Sequence, residues 1–346
     1  MKKLFIIVVT VMILAIPVNA MEVRPPDTPE SGRDLMPKEP ETFGEGLIYI
    51  LKEAVALLQP SVTAASGVCL SLIASAILIG IVKILPASNE QLSELVGTIV
   101  AAALLIQPTG ALIHSGMDTV SELSNYGKLL IPVLTAALAA QGGISSSTAL
   151  YAGTVAFDAV LSGLISTLIL PGVYIFLALA VASGAMDQQF LQRCKSFIKW
   201  LITWGLKIIL YIFTGYIGIT GVVSGSVDSA ALKATKLTIS GIVPVVGGIL
   251  SDASEAVLVS AGVMKNAAGV YGLLAIIAVW IGPFIEIGVQ YLLLKMTGAL
   301  CETFQAKKIK SLVQDFSSAM GFLLAMTGAQ CLLLMISAVC FMKGVS

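Results

Sequence analysis

The chain of 346 residues is 57% hydrophobic and only 12% charged, and its mean hydropathy is +0.96. Soluble domains carry about 25% charged residues, so this composition excludes an ordinary soluble enzyme and indicates an integral membrane protein. The 20 basic and 20 acidic side chains cancel, and no net charge points to nucleic acid as a partner.

Residues 1–20 have the pattern of a signal peptide. Lys2 and Lys3 precede an apolar run at 4–16, Pro17 follows it, and the small residue Ala20 stands at a cleavage position. The alternative is an uncleaved anchor helix, although a run of about 13 residues is short for a hydrocarbon core of roughly 30 Å. Either way, the segment that follows is predicted to be exported.

The segment after the signal peptide is predicted to have two parts. Residues 21–45 are polar and rich in proline, so they bury too little apolar area to offset their ordering entropy, and we predict a disordered exported linker. From residue 46, apolar side chains recur at helical spacing around Lys52 and Glu53, which predicts an amphipathic helix at the interface. The alternative is that these residues form the first turns of the next helix.

Six stretches are long and apolar enough to cross a bilayer, since a spanning helix needs about 20 residues and satisfies its own backbone groups. They lie at 61–82, 95–113, 161–184, 200–223, 268–292 and 319–342. The predicted fold class is therefore all-α, a polytopic helical bundle in the membrane.

Two further apolar regions, 129–160 and 237–264, are each interrupted by a proline and a glycine pair. The interrupting residues are Pro132, Gly142, Gly143, Pro244, Gly247 and Gly248. We predict two broken or re-entrant helical segments, which survive at membrane depth only where protein or a wet cavity surrounds them. A proline-kinked helical hairpin is the alternative.

Basic residues are concentrated in two loops and predict the orientation. These residues are Arg193, Lys195 and Lys199 in one loop and Lys295, Lys307, Lys308 and Lys310 in the other. Both loops are predicted to be cytoplasmic, because short loops rich in Lys and Arg stay inside. With an exported N-terminus and six spans, the C-terminus is predicted to be exported too.

The two broken regions begin matched series, which predict an internal duplication at offsets of 105 to 115 residues. The matched segments are 151–153 with 260–262, 170–171 with 282–283, 195–198 with 310–313, and 213–215 with 326–328. Because both basic loops face one side, the halves would be parallel repeats about an axis along the membrane normal. The predicted divisions are 1–20, 21–45, 46–115 with two spans, and repeat units at 116–228 and 229–346.

Three charged residues interrupt apolar sequence and are candidates for an intramembrane polar path: Asp158, Lys207 and Glu286. A charge at the centre of a spanning helix costs about 2.5 to 3.5 kcal/mol, so such residues usually face the bundle interior and pair. We predict that Asp158 pairs with Lys207. The alternative is a buried pair that only fixes helix packing, or a charge that reaches the interface.

Cysteine and histidine are too sparse for a metal site or a disulfide framework. The five cysteines lie outside 21–45 and no two have C-x-x-C spacing, so we interpret them as small apolar side chains. His114 is the single histidine, and no Walker loop, dinucleotide fingerprint or nucleophile elbow is present. The sequence therefore predicts no metal, no cofactor and no catalytic residue, and we predict that the protein is not an enzyme.

Several runs between residues 213 and 292 carry a family resemblance. They are FTGYIGITGVVSGSVD at 213–228, ALKATKL at 231–237, PVVGGILSDASEAVLVSAG at 244–262, VMKN at 263–266, AVWIGP at 278–283 and QYL at 290–292. The chain resembles the stage III sporulation protein AE family of endospore-forming bacteria. The resemblance extends from the signal peptide to the C-terminus, apart from 21–45, where no motif matches.

The resemblance implies a membrane protein made in the mother cell during sporulation, one of eight encoded together, in the membrane around the engulfed forespore. Its implied partners are the other stage III membrane proteins and, through them, a forespore-membrane protein, in a channel or secretion-like complex that sustains forespore development. Membrane lipid is a further expected partner, and homo-oligomer formation stays open. The alternative function is a permease-like secondary transporter of a small solute or ion.

Overall fold

A computed structural model describes the backbone of residues 25–37, 42–84, 90–186, 188–242 and 247–343, and their side chains except at 84, 90, 220–242, 247–266 and 343. The described part is helical and has no strand. Its helices are α1 Glu30–Arg33, α2 Phe43–Ile84, α3 Glu90–Ala140, α4 Ile144–Leu164, α5 Leu170–Ala185, α6 Gln189–Ile242, α7 Gly247–Thr303 and α8 Lys307–Lys343. The predicted signal peptide lies outside the described residues.

Six segments of the described chain are long and apolar enough to cross a membrane. They are Phe43–Lys83, Gln91–Ala140, Ile144–Ala185, Gln189–Ile219, Ala267–Thr303 and Lys307–Met342. Each predicted span overlaps a different one of them, which confirms the all-α membrane bundle.

The helices are much longer than the predicted spans. Helix α3 has 51 residues and α7 has 57, and at 1.5 Å per residue these correspond to about 77 Å and about 86 Å. A hydrocarbon core is only about 30 Å thick. These two helices are therefore far longer than one crossing of the bilayer requires.

The first predicted broken segment, 129–160, is not a re-entrant loop. It is a helical hairpin, as the alternative interpretation had it. Pro132 lies inside the continuous helix α3, where its buried neighbours Ile131 and Leu134 hold the backbone against the core. Gly142 ends α3 with φ 91°, and the N–H groups of Gly142 and Gly143 donate to Ala139 O and Leu138 O at 2.9 and 3.1 Å. This is a Schellman cap, so the glycine pair forms the turn between α3 and α4.

The second broken segment lies partly beyond the described chain. Pro244 is outside the described residues, whereas Gly247 and Gly248 are the first two residues of α7. The internal duplication, which pairs this segment with the first, stays a prediction.

Helices α4 and α5 are joined without a turn by a π-helical segment, Ile165–Ile169. Pro171 follows directly at the start of α5. Because proline has no N–H and its ring clashes with the carbonyl four residues earlier, a regular α-helix is unfavourable here. The wider π-turn lets α4 and α5 continue as a single rod.

Successive long helices run antiparallel, so three turns meet at one end of the bundle. There the Lys83 ammonium contacts Glu94 Oε1 at 2.6 Å and donates to Gln305 O at 3.3 Å, and Lys195 contacts Asp315 at 2.6 Å. We call this the basic end. Its cationic side chains are Lys83, Arg193, Lys195, Lys307, Lys308 and Lys310.

The hairpin of α7 and α8 forms the centre of the fold. In the most apolar stretch of each helix, protein buries 56% of the residues in α7 and 61% in α8. The corresponding share is 22% in α2 and in the first part of α6. Aromatic contacts attach the outer helices: the Phe176 and Phe322 rings lie 5.2 Å apart, and those of Phe157 and Phe213 lie 5.3 Å apart. The outer helices are therefore the main apolar surface offered to lipid.

Part of the predicted disordered linker is ordered against the bundle. Residues 25–37 include α1, and Leu35 joins a core cluster with Ile50 of α2 and Ile277 of α7. Thr28 and Tyr271 share a hydrogen bond of 3.0 Å. The linker prediction is wrong for these residues, because their few apolar side chains pack against α2 and α7. The predicted amphipathic helix is not a separate element. Its residues form the first turns of the continuous helix α2, which was the alternative interpretation.

We expect Gly32→Ala to loosen this contact. An added Cβ at Gly32 would lie 2.8 Å from Val279 N, a backbone atom that cannot move aside. In the purified full chain, trypsin cleavage after the exposed Arg33 should become roughly tenfold faster, because local opening costs about 1.4 kcal/mol less. Gly44→Ala is the control, since its Cβ meets nothing within 4 Å. Equal cleavage rates in the two variants would contradict docking of α1.

Candidate functional site

The Asp158 carboxylate lies buried between three helices, with 6% of its surface exposed. It sits on α4 and accepts a hydrogen bond from the Ser124 hydroxyl of α3 at 2.8 Å. It accepts a second from the Gln330 amide of α8 at 2.5 Å. Both of its hydrogen-bond donors are therefore neutral side chains.

The polar contact continues for one more turn along α4. Thr154 lies four residues before Asp158, on the same helix face, and its hydroxyl is 3.0 Å from that of Ser337 on α8. Within the described residues, Gln330 Oε1 is buried without a hydrogen-bond partner. We call these five side chains the polar seam: Ser124, Thr154, Asp158, Gln330 and Ser337.

Lys207 does not reach Asp158. It lies in a groove of about 640 Å³ between α6, α7 and α8, lined also by Tyr291 and Gln314. The side chain is exposed there. The predicted Asp158–Lys207 pair is therefore wrong, because Lys207 on α6 faces α7 and α8, whereas Asp158 on α4 faces Ser124 and Gln330.

Glu286 occupies a third place. It lies with Gln290 in a groove of about 360 Å³ between α2, α3 and α7, which Pro60 and Pro108 also line. The Ser115 hydroxyl is 3.5 Å from its Oε2. Asp158, Lys207 and Glu286 thus belong to three separate sites, and the described residues do not join them into one path.

Sequence reasoning missed the partners in the polar seam. Ser, Thr and Gln occur throughout the helices, and most hydroxyls bond to a carbonyl on their own helix, as Thr98 does to Glu94 O at 2.8 Å. Nothing in the spacing distinguishes Ser124 or Gln330 from these. Only the packing of α3 and α8 against α4 identifies them.

An exposed polar stripe runs along the half of α3 that is remote from the basic end. It consists of His114, Asp118, Ser121, Asn125 and Lys128. These positions recur every three or four residues, so they lie on one helix face. Charged and amide side chains on an outer face do not suit contact with lipid tails, so this face suits water or a protein partner.

Within the described residues, no three His, Cys, Asp or Glu side chains come together as a metal-ligand set. The five cysteines are all free thiols. The most buried ion pair of the described residues joins Lys195 and Asp315, whose side chains are 10% and 15% exposed. This pair joins α6 to α8 and is a packing feature of the basic end.

The family model described as stage III sporulation protein AE matches residues 44–344. The chain belongs to this family. Stage III sporulation protein AE of Bacillus subtilis (strain 168) is 24% identical over 191 residues, which cover 55% of this chain and 48% of that relative. The match thus spans about half the length of the curated relative. No solved structure matches the chain.

The family match confirms the resemblance seen in the sequence. A membrane bundle of this family takes part in sporulation, and this family is not a known enzyme family. The polar seam, the two grooves and the polar stripe are the features of this member to which a finer role can be attached.

Proposed function

We propose that the protein is a membrane component of the mother-cell side of a channel or secretion-like complex that links mother cell and forespore. Its family membership over residues 44–344 is the observation that carries this proposal. The protein would act as a conduit subunit or scaffold without bond chemistry. Asp158, Lys207 and Glu286 lie at separate sites of the described bundle, so the proposal does not depend on a polar path that joins them.

In this proposal the basic end faces the mother-cell cytoplasm, because short basic loops stay inside. The N-terminus is exported after cleavage of the signal peptide, into the space between the two membranes. The polar stripe of α3 and the docked α1 lie at the opposite half of the bundle and are available there to partners. Those partners are the other stage III membrane proteins encoded with it and, through them, a forespore-membrane protein.

Purification from sporulating membranes tests this proposal. A tagged full-length chain, solubilised in mild detergent, should bring down the other stage III membrane proteins, identified by mass spectrometry. An unrelated polytopic protein with the same tag, expressed at the same stage, is the control. Recovery of none of these partners above the control would overturn the proposal.

The polar seam favours a second candidate, a secondary transporter. A carboxylate buried among helices is a common ion-coupling group in carriers. Ser124, Gln330 and Asp158 supply oxygen atoms from three helices at one point of the bundle. The two candidates differ in whether the charge of Asp158 is needed.

We expect Asp158→Asn to leave sporulation within about twofold of wild type. An amide has nearly the same shape and still accepts a hydrogen bond from Ser124. Its NH2 group can donate to Gln330 Oε1 once the Gln330 amide turns over, so the packing of the three helices is kept. Heat-resistant spore counts and partner recovery are the measurements. A scaffold tolerates this change, whereas a carrier coupled through Asp158 loses function. Loss of spores with normal protein level and partner recovery would therefore favour the transporter.

A further inference from the structure

The groove between α6, α7 and α8 has the charge of an anion site. Its lining contains Lys199, Lys207 and Lys295 and no carboxylate. All three lysines are exposed, and within the described residues none of them forms an ion pair with an acid. Lys295 donates to the Tyr291 hydroxyl at 3.0 Å, which holds its ammonium at the groove.

The groove changes from polar to apolar along the helix axes. Helices α6 and α8 both run away from the basic end, and their first lining residues are Lys199, Gln314 and Ser317. Their last lining residues, farther from that end, are apolar apart from Lys207, namely Leu206, Leu210, Phe322 and Ala325. A phospholipid has this same order, a charged head followed by a hydrocarbon chain.

Aromatic side chains beside the groove indicate the level of the membrane surface. Phe197, Trp200 and Trp204 of α6 are 59%, 53% and 47% exposed. Trp200 stacks with Phe197, with ring centroids 6.0 Å apart. Exposed Trp and Tyr concentrate where headgroups meet the hydrocarbon core. The polar end of the groove is therefore at headgroup depth.

We propose that this groove binds an anionic phospholipid, with its phosphate on Lys199 and Lys295 and an acyl chain along Leu206, Leu210 and Phe322. Lys207 lies two turns deeper, and its side chain leans toward the same headgroup because side chains on a helix tilt toward its N-terminus, which for α6 is at the basic end. A zwitterionic lipid is a weaker ligand, because its own amine neutralises the phosphate. Free phosphate is weaker still, because it leaves the apolar part of the groove empty. This lipid site stands whether or not the protein serves a channel complex.

Titration of the delipidated full-length protein in detergent, followed by native mass spectrometry, tests the site. Phosphatidylglycerol should bind more tightly than phosphatidylcholine of the same chains, and inorganic phosphate at equal concentration should not displace it. The triple variant Lys199→Gln, Lys207→Gln, Lys295→Gln should bind phosphatidylglycerol about 100-fold more weakly, since each lysine contributes roughly fivefold. The triple arginine variant should retain binding.

A matched control removes the same charge elsewhere. The triple variant Lys52→Gln, Lys128→Gln, Lys307→Gln changes three exposed lysines outside the groove and should bind as wild type does. Ser318→Glu places one negative charge in the groove and tests the site even if the triple glutamine variant does not fold. Equal binding of the two lipids, displacement by phosphate, or unchanged binding in both groove variants would overturn the proposal.

Discussion

Replacing Lys195 by Met is expected to lower the free energy of unfolding of the bundle by about 3 kcal/mol. The Lys195 ammonium lies 2.6 Å from Asp315 Oδ2, and both side chains are mostly buried, at 10% and 15% exposure. Methionine keeps the length and volume of lysine but leaves the Asp315 carboxylate buried without its partner. The cost is therefore the desolvation of a charge that no longer has compensation.

Unfolding in mixed micelles of mild detergent and SDS measures this change. The control is Lys310→Met, since Lys310 pairs with Glu302 at 2.6 Å but the Glu302 side chain is 64% exposed. An exposed pair contributes at most about 1 kcal/mol, because water replaces the lost partner. Exchanging the charges, Lys195→Asp with Asp315→Lys, should recover most of the loss. Equal effects at the two pairs would refute a special role for burial at Lys195.

Replacing Gly153 by Ala is expected to destabilise the contact of α4 and α6 by about 1 to 3 kcal/mol. A Cβ at this position would lie well inside contact distance of Tyr216 Cε1. The tyrosine cannot swing away freely, because its hydroxyl donates to Ala149 O at 2.9 Å and its ring lies 5.6 Å from Phe157. One added methyl group must therefore push the helices apart or break that hydrogen bond.

Gly163 of the same helix supplies the matched control. Its Cβ would meet nothing within 4 Å, so Gly163→Ala should stabilise the protein by up to about 1 kcal/mol through helix propensity alone. The penalty at Gly153 should also disappear in a Tyr216→Ala background, because the clash partner is gone. If both glycine variants shift unfolding in the same direction, the close approach of α4 and α6 is not as described.

Hydropathy identified the helices but could not say which apolar faces meet lipid. Gly97, near the start of the predicted span of α3 at 95–113, packs against Ile309 of α8. Gly116, just after the end of that span, packs against Met326. Farther along, Gly127 packs against Leu334. Most of the predicted span of α8 at 319–342 therefore lies beside the polar half of α3, and not beside the predicted span of α3 at 95–113. Much of the apolar surface of α8 is satisfied by protein, which sequence cannot distinguish from lipid.

The sequence by itself determined the fold class, the six helices that are long and apolar enough to span a membrane, and the family. These follow from local properties: an apolar run of sufficient length must be helical in lipid, because only then are its backbone groups paired. The runs between 213 and 292 identified the family, because a sequence motif is also a property of consecutive residues and does not depend on tertiary contacts.

Only the tertiary structure decided what the breaks and the lone charges do. Pro132 stays within a helix because buried neighbours hold it, while Gly142 makes a turn because its backbone can adopt a positive φ. Asp158 finds Ser124 and Gln330, which are 34 and 172 residues away along the chain. Such partners depend on how the helices rotate and slide against each other. The sequence around one polar residue in an apolar helix does not specify which helices will pack against it.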